Sequence, residues 1–297
     1  MDRLGALRAF VAVAEHSSFA EAARRLGMSS TAVSRAVQAL EQSLGATLLR
    51  RTTRSVGLTP EGAAYLERCR QALNDLDDAD RALRGEDAEP RGPLLVTAPV
   101  VFGRMHILPV INELLRRHSA LRAQLWLNDR VVRLVEEGID VAVRIADLPD
   151  SALLAVRIAE VRRALVASPE YLRRRGEPSE VAQLYDHDII LFENMAPNRE
   201  WRFFDEGRSA VRVEPRLLTN SVEAAIDATL DGLGVARVLS YQVQEHVRQG
   251  RLAYLLTRYE PAPAPVNLVF QASRRRTANV SAFIGSTQAY CRQRSFA

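Results

Sequence analysis

The stretch "SFAEAARRLGMSSTAVSRAVQALEQSLG", residues 18–45, decides the fold of the N-terminal part of the chain. It divides into two amphipathic segments around Gly27, a residue type that accepts a left-handed backbone after a helix. Ser18 followed by Glu21 has capping-box spacing, so a helix starts there and buries Phe19, Ala22, Ala23 and Leu26. The next helix starts near Ser29 or Ser30, packs Val33, Val37, Leu40 and Leu44, and stops at Gly45. Two short helices joined by a tight turn in one small core form a helix-turn-helix. Upstream, Leu4, Leu7, Val11 and Ala14 recur at spacings of three and four and predict a further helix, with Phe10 beside the stripe.

The second helix of the motif has a face left over. With Val33, Val37 and Leu40 inward, Ser30, Thr31, Ser34, Arg35 and Gln38 face out near the helix start, the end such motifs insert into the major groove of DNA. Arginine forks onto a guanine edge, and short hydroxyls serve several bases. The following "LLRRTTRSVGLTPEG", residues 48–62, reads as two short strands around the tip Arg50, Arg51, Thr52, Thr53 and Arg54. Those groups suit a wing that grips the phosphate backbone, which positions a reader without specifying sequence. A solvated helix face and an ordinary charged hairpin are the plain alternatives to each element taken alone. Charge favours the DNA reading: residues 1–60 hold eight Arg against four acids, whereas residues 61–90 hold four Arg against nine.

Thr59 caps a further helix with Pro60 at its first position, running to about Arg84. Leu66, Cys69, Leu73, Leu76 and Leu83 form a seam, interrupted at Asp80, that suits a partner helix, so dimerisation is expected there. "EDAEPRGPL", residues 86–94, reads as a hinge. Beyond it, strands at 94–98, 122–127 and 141–145 alternate with helices at 107–117 and 131–137. A second series follows: a strand at 163–167, a helix from Pro169, strands at 189–192 and 211–219, a helix at 222–231 and a strand at 235–238. A strand within 266–274 and a helix from about Asn279 close the chain. Such alternation argues for α/β sheets, whose ligands bind outside the carboxyl ends of strands.

Three strand ends qualify. Thr97, Ala98 and Pro99, with Phe102 just beyond, precede a helix whose first N–H groups suit a carboxylate. Asn220 and Ser221 stand likewise, with Glu223 at capping-box spacing. Arg144 ends "DVAVR" and suits an anionic partner. Helix capping, an internal ion pair and a core ring are the plain readings of the same residues. Trp201 and Phe203 alternate as in a strand and are expected to pack.

The 297 residues suffice for two or three domains, and 47% hydrophobic with 26% charged residues is ordinary for a globular chain. No stretch approaches the roughly 20 apolar residues that span a bilayer, and Asp2 and Arg3 lead straight into an amphipathic pattern. A cytoplasmic location is therefore expected. Cys69 and Cys291 match no metal or redox spacing, and the five histidines are scattered singly. No nucleophile elbow or dinucleotide loop appears, so neither enzymatic activity nor a metal or cofactor is expected.

The segment "AVSRAVQALEQSLGATLLRRTTRSVGLTPEG", residues 32–62, with the helix-turn-helix before it and the long helix after it, resembles the LysR-type transcriptional regulators. The resemblance continues to the C-terminus through "APVVFGR" and "DVAVRIADLPDS". Ser30 stands where many members carry Gln and Leu49 where many carry Phe, so the operator sequence does not carry over. The resemblance implies an α/β protein overall: a winged helix-turn-helix at 1–59, a linker and dimerisation helix at 60–85, a hinge at 86–93 and an effector domain at 94–297. That domain would have two lobes like a periplasmic binding protein, lobe I about 94–162 and 267–297 and lobe II about 163–266. It further implies promoter operator DNA and a small-molecule effector, and the strand ends described above suit a carboxylated one. A homodimer through the linker helix, assembly to a homotetramer and contact with RNA polymerase are implied as well. Two rivals remain at this stage: small-molecule capture by the lobes alone, and an enzyme carrying a DNA-binding module.

Overall fold

The computed structural model describes all residues except 1, 52–55, 84–88, 131, 149–151, 194–198, 205–207, 295 and 297. The chain forms two compact units, Met1–Pro93 and Leu94–Ala297.

The first unit contains α1 (Arg3–His16), α2 (Phe19–Leu26), α3 (Ser30–Leu44), the hairpin of β1 (Leu49–Arg51) and β2 (Val56–Leu58), and α4 (Pro60–Leu83). Local chemistry sets the boundaries. Ser18 Oγ accepts from the Glu21 N–H and Ser29 Oγ from the Ala32 N–H, both at 3.2 Å, so Ser29 is the cap of α3. Gly27 and Gly45 end α2 and α3 with φ of 63° and 64°. The face of α1 differs from expectation. Its buried residues are Ala6, Ala9, Phe10 and Val13, while Leu4, Leu7, Val11 and Ala14 are half-buried. Close helix packing places small residues at the centre of the contact and leaves larger aliphatics on its flanks.

The α4 seam is corrected too. Leu66 and Cys69 are buried in the same core as Phe10, Val13, Val37 and Leu48, so that part of the seam is committed within the unit. Beyond it Leu73 is half-buried and Leu76 is 38% exposed. Gly62 explains how α4 sits so near the hairpin: a Cβ there would collide with the Leu48 carbonyl oxygen. Thr59 Oγ1 secures the corner, donating to the Thr47 carbonyl at 2.7 Å and accepting from the Gly62 N–H at 2.9 Å.

The second unit runs β3 (Gly92–Ala98), α5 (Val100–Phe102), a π turn (Gly103–Ile107), α6 (Leu108–Arg117), β4 (Leu121–Leu127), β5 (Val141–Ile145) and β6 (Leu153–Val161). It continues with β7 (Arg163–Ala167), α7 (Pro169–Arg175), β8 (Ile189–Phe192), β9 (Glu200–Phe204), β10 (Arg208–Arg212) and β11 (Pro215–Thr219). Then come α8 (Val222–Leu230), β12 (Val235–Leu239), α9 (Ser240–Arg248), β13 (Ala253–Leu255), β14 (Ala264–Gln271) and α10 (Ala278–Arg292). Two five-stranded sheets result, ordered β4-β3-β5-β14-β6 and β11-β8-β12-β7-β13. The chain leaves the first sheet after Val161 and returns with β14 at Ala264. Both sheets are mixed: β3 and β5 run parallel, whereas β14 is antiparallel to β5 and β6.

Three expectations change. Residues 134–138 form turns rather than a helix, closed by Glu137 N–H to the Arg133 carbonyl and Ile139 N–H to the Leu134 carbonyl. Gly138, at φ 67°, stops them. The expected strand 211–219 is split between β10 and β11, where Pro215 starts a new strand. Edge strand β6 and helix α9 went unforeseen. Trp201 and Phe203 pack on one face of β9, in a core with Tyr171 and Leu191.

Candidate functional site

The first candidate is the outward face of α3. Val33, Ala36, Val37 and Leu40 are buried, while Ser30, Thr31, Arg35 and Gln38 are exposed and Ser34 is half-buried. A helix that satisfies its packing on one side thus offers two hydroxyls, a guanidinium and an amide within its first turns. Arg50 is exposed in β1 opposite Gly57, and Arg51 pairs with Val56. The Arg51 side chain, with Thr52, Thr53 and Arg54, lies outside the described residues.

Sequence reading missed Glu41. Its Oε1 accepts from the Leu48 N–H at 2.8 Å and the Leu49 N–H at 3.1 Å, so α3 holds the base of the wing. A carboxylate taking two backbone donors is a strong, directional tie. Nothing local in the sequence marks it, because its partners lie seven and eight residues on, past a helix end.

The second candidate is a cavity of about 940 Å³ between the two sheets of the second unit. Thr97, Ala98, Pro99 and Arg144 line it from the first lobe, and Phe192, Leu239, Tyr241 and Gln242 from the second. Thr97 Oγ1 donates to the Trp126 carbonyl at 3.0 Å and accepts from Asn128 Nδ2 at 3.1 Å. The helix start after Pro99 is already taken by a carboxylate of the chain: Asp129 Oδ1 accepts from the Val100 N–H at 3.2 Å. Burial raises the Asp129 pKa from its ordinary value; the Val100 bond opposes that, and Glu223 adds to it. Arg144 donates to the carbonyls of Val132 at 2.7 Å and Arg130 at 3.4 Å, with burial lowering its pKa.

The remaining sequence candidates fall elsewhere. Phe102 is fully buried, its ring 4.9 Å from His106, 5.4 Å from Tyr241 and 5.8 Å from Phe296. Ser221 Oγ caps α8 by accepting from the Ala224 N–H, and Asn220 is exposed; neither is among the lining residues of the cavity. Glu223 reaches the other lobe instead, pairing with Arg104 at 3.1 Å.

Burial holds three further titratable groups of the second unit neutral. His106 has no hydrogen-bond partner on either ring nitrogen among the described residues, and burial, helped by Arg294, lowers its pKa to about 4. Tyr241 is pushed far above its ordinary value by burial. Cys291 is buried and raised to about 11, so its thiolate is suppressed.

An exposed polar helix face beside an arginine-bearing wing, followed in the chain by two α/β lobes around a cavity, is the build of a ligand-responsive DNA-binding regulator. Residues 4–63 match the family model described as bacterial regulatory helix-turn-helix protein, lysR family, and residues 87–292 match LysR substrate binding domain. The chain is 34% identical over 288 residues to the regulator PgrR of Escherichia coli K12, covering 95% of this chain and 96% of PgrR. It is 31% identical to CrgA of Neisseria meningitidis serogroup C, covering 94% of this chain and 93% of that one. The solved structure of CrgA, a LysR-type transcriptional regulator from Neisseria meningitidis, matches with a TM-score of 0.62 at 29% identity, over 96% of this chain and 98% of CrgA. The chain belongs to the LysR family of transcriptional regulators, with a helix-turn-helix for DNA and an effector-binding domain of periplasmic-binding-protein type.

Proposed function

We propose that Ser30, Thr31, Ser34, Arg35 and Gln38 read the bases of a promoter operator, while Arg50, Arg51, Thr52, Thr53 and Arg54 hold its phosphates. The observation that carries this reading is the polar, exposed face of α3, backed by a buried one and tied to the wing through Glu41. A small molecule in the cavity, touching Thr97, Ala98, Pro99 and Arg144, adjusts lobe packing and so the DNA complex. Phe102 supports that site by packing and Ser221 by capping α8 rather than by contact, while Asn220 stands exposed ahead of that cap. The protein acts in the cytoplasm without chemical turnover. Two copies pair through α4 beyond Cys69. A tetramer further draws on exposed apolar side chains of the second unit: Leu108 and Leu115 on α6, and Trp126 and Leu127 on the edge strand β4. RNA polymerase is the downstream partner.

The test is a salt titration of binding to the intergenic DNA upstream of the protein's own gene. Arg35→Ala is expected to reduce discrimination between operator and unrelated DNA by roughly 1–3 kcal/mol. Arg51→Ala is expected to weaken all sequences alike and to make the salt slope shallower. Binding indifferent to both substitutions, or none at all, would sink the regulator mechanism.

A further inference from the structure

We propose that the effector of this chain is an uncharged, largely apolar small molecule, and that Asp129 acts as a built-in counter-anion that turns carboxylates away. The inference rests on the reading of the cavity as the effector site. A volume of about 940 Å³ is at the upper end of what drug-sized ligands occupy, and such sites are mostly apolar with a few orienting polar groups. Val143, Leu153 and Val269 from the first lobe and Phe192 and Leu239 from the second supply that apolar wall. The wall continues to the mouth, where Val135 and Leu148 line the cavity although they are 61% and 37% exposed.

The charged groups point the same way. Three guanidinium groups line the cavity, and each is engaged by the chain itself. Arg130 pairs with Glu137 at 3.4 Å and Arg133 with Glu136 at 3.1 Å, while Arg144 is bound to the Val132 carbonyl at 2.7 Å. The N–H of Val100, at the helix start after Pro99, is bonded to Asp129. An anion entering this cavity meets the partly buried carboxylate of Asp129, finds Arg130 and Arg133 already paired with Glu137 and Glu136, and reaches Arg144 only in competition with the two carbonyls that orient it. An apolar molecule displaces water from apolar wall and disturbs none of these contacts.

Two dyes that share one skeleton separate the alternatives: N-phenyl-1-naphthylamine, which is uncharged, and 1-anilinonaphthalene-8-sulfonate, its sulfonated analogue. Each is titrated into the full-length protein and followed by fluorescence. The uncharged dye is expected to bind at least about tenfold tighter, as one repelled charge at several ångströms implies. Leu239→Trp in the wall and Val135→Trp at the exposed mouth should each weaken it, which places the dye in the cavity. Asp129→Asn keeps an acceptor for the Val100 N–H while removing the charge. It is expected to tighten the sulfonate by about tenfold and to leave the uncharged dye within about twofold. A sulfonate that binds the wild type as well as or better than its parent overturns the proposal, as does a dye ratio unmoved by Asp129→Asn. Failure of both dyes to bind does so too. Operator affinity measured on the same preparations separates the two levels. DNA binding with a contrary dye result removes only the ligand class, whereas its loss in the wild type removes the regulator reading beneath it.

Discussion

The outward face of α3 and the wall of the cavity treat polar groups in opposite ways. On α3 the guanidinium of Arg35 and the amide of Gln38 stand exposed on a packed helix. In the cavity, Arg144 is tied to loop carbonyls, Asp129 to a backbone N–H and Thr97 to Trp126 and Asn128. A surface that must meet a polyanion in water keeps its donors available, since each contact replaces solvent and counterions. The cavity ties down most of its own polar groups, because an unpaired polar atom away from water is costly, and leaves Asn128 Oδ1 without a hydrogen-bond partner among the described residues.

The contrast is broken most severely at Gly62. Gly62→Ala drives a Cβ into the Leu48 carbonyl oxygen, and a backbone displacement of this kind is expected to cost about 2–4 kcal/mol. Operator binding and the thermal stability of the first unit should suffer while dye binding to the second unit persists; simultaneous loss of both would couple the units. Glu41→Ala comes next. It leaves the Leu48 and Leu49 N–H groups without their carboxylate, an expected loss of about 1.5–3 kcal/mol. The wing would then contribute less to phosphate contact, so the salt slope of DNA binding should fall although Glu41 itself carries the wrong charge for DNA. An unchanged slope would show that the wing is held by other means.

Acid addresses the other side of the comparison. The folded pKa of His106 is lowered to about 4, whereas the unfolded chain titrates near the ordinary value of about 6.5. Between those values the unfolded state binds a proton that the folded state does not, so stability falls as the pH drops through that window. Allowing for partial exposure, the effect is about 1–2 kcal/mol. Denaturant unfolding of the second unit should be less pH-dependent between 6.5 and 4 in His106→Phe, and equal pH dependence in both proteins would refute this account. The smallest effect is expected for Arg104→Gln. The Arg104–Glu223 pair joins the lobes but is 58% and 50% exposed, so its removal should cost no more than about 0.5 kcal/mol, measured by the same unfolding.

The N-terminal unit is legible in sequence because its signals are short-ranged. Caps at Ser18 and Ser29, left-handed glycines, and Pro60 behind Thr59 all act within four residues. The exception, the buried face of α1, follows from packing between helices, which favours Ala6 and Ala9 over larger neighbours. The cavity is legible only where strand ends announce it, at Thr97–Pro99 and Arg144. Phe102 follows the same strand end, but the helical turn carries it into a ring cluster with residues 139 and 194 positions away in the chain, Tyr241 and Phe296. Asp129, Phe192 and Tyr241 reach the cavity from three separate segments, and their meeting depends on the two crossings between the sheets. No periodicity records that.

The most direct test of the central claim is a footprint of the full-length protein on its own upstream intergenic DNA, with Arg35→Ala compared at matched occupancy. The account predicts two protected half-sites about one helical turn apart, with base-specific protection inside each half-site lost in Arg35→Ala and the flanking backbone protection retained. Unaltered base protection in Arg35→Ala, or protection without a dyad, would contradict the assignment of the exposed α3 face as the base reader of a dimer.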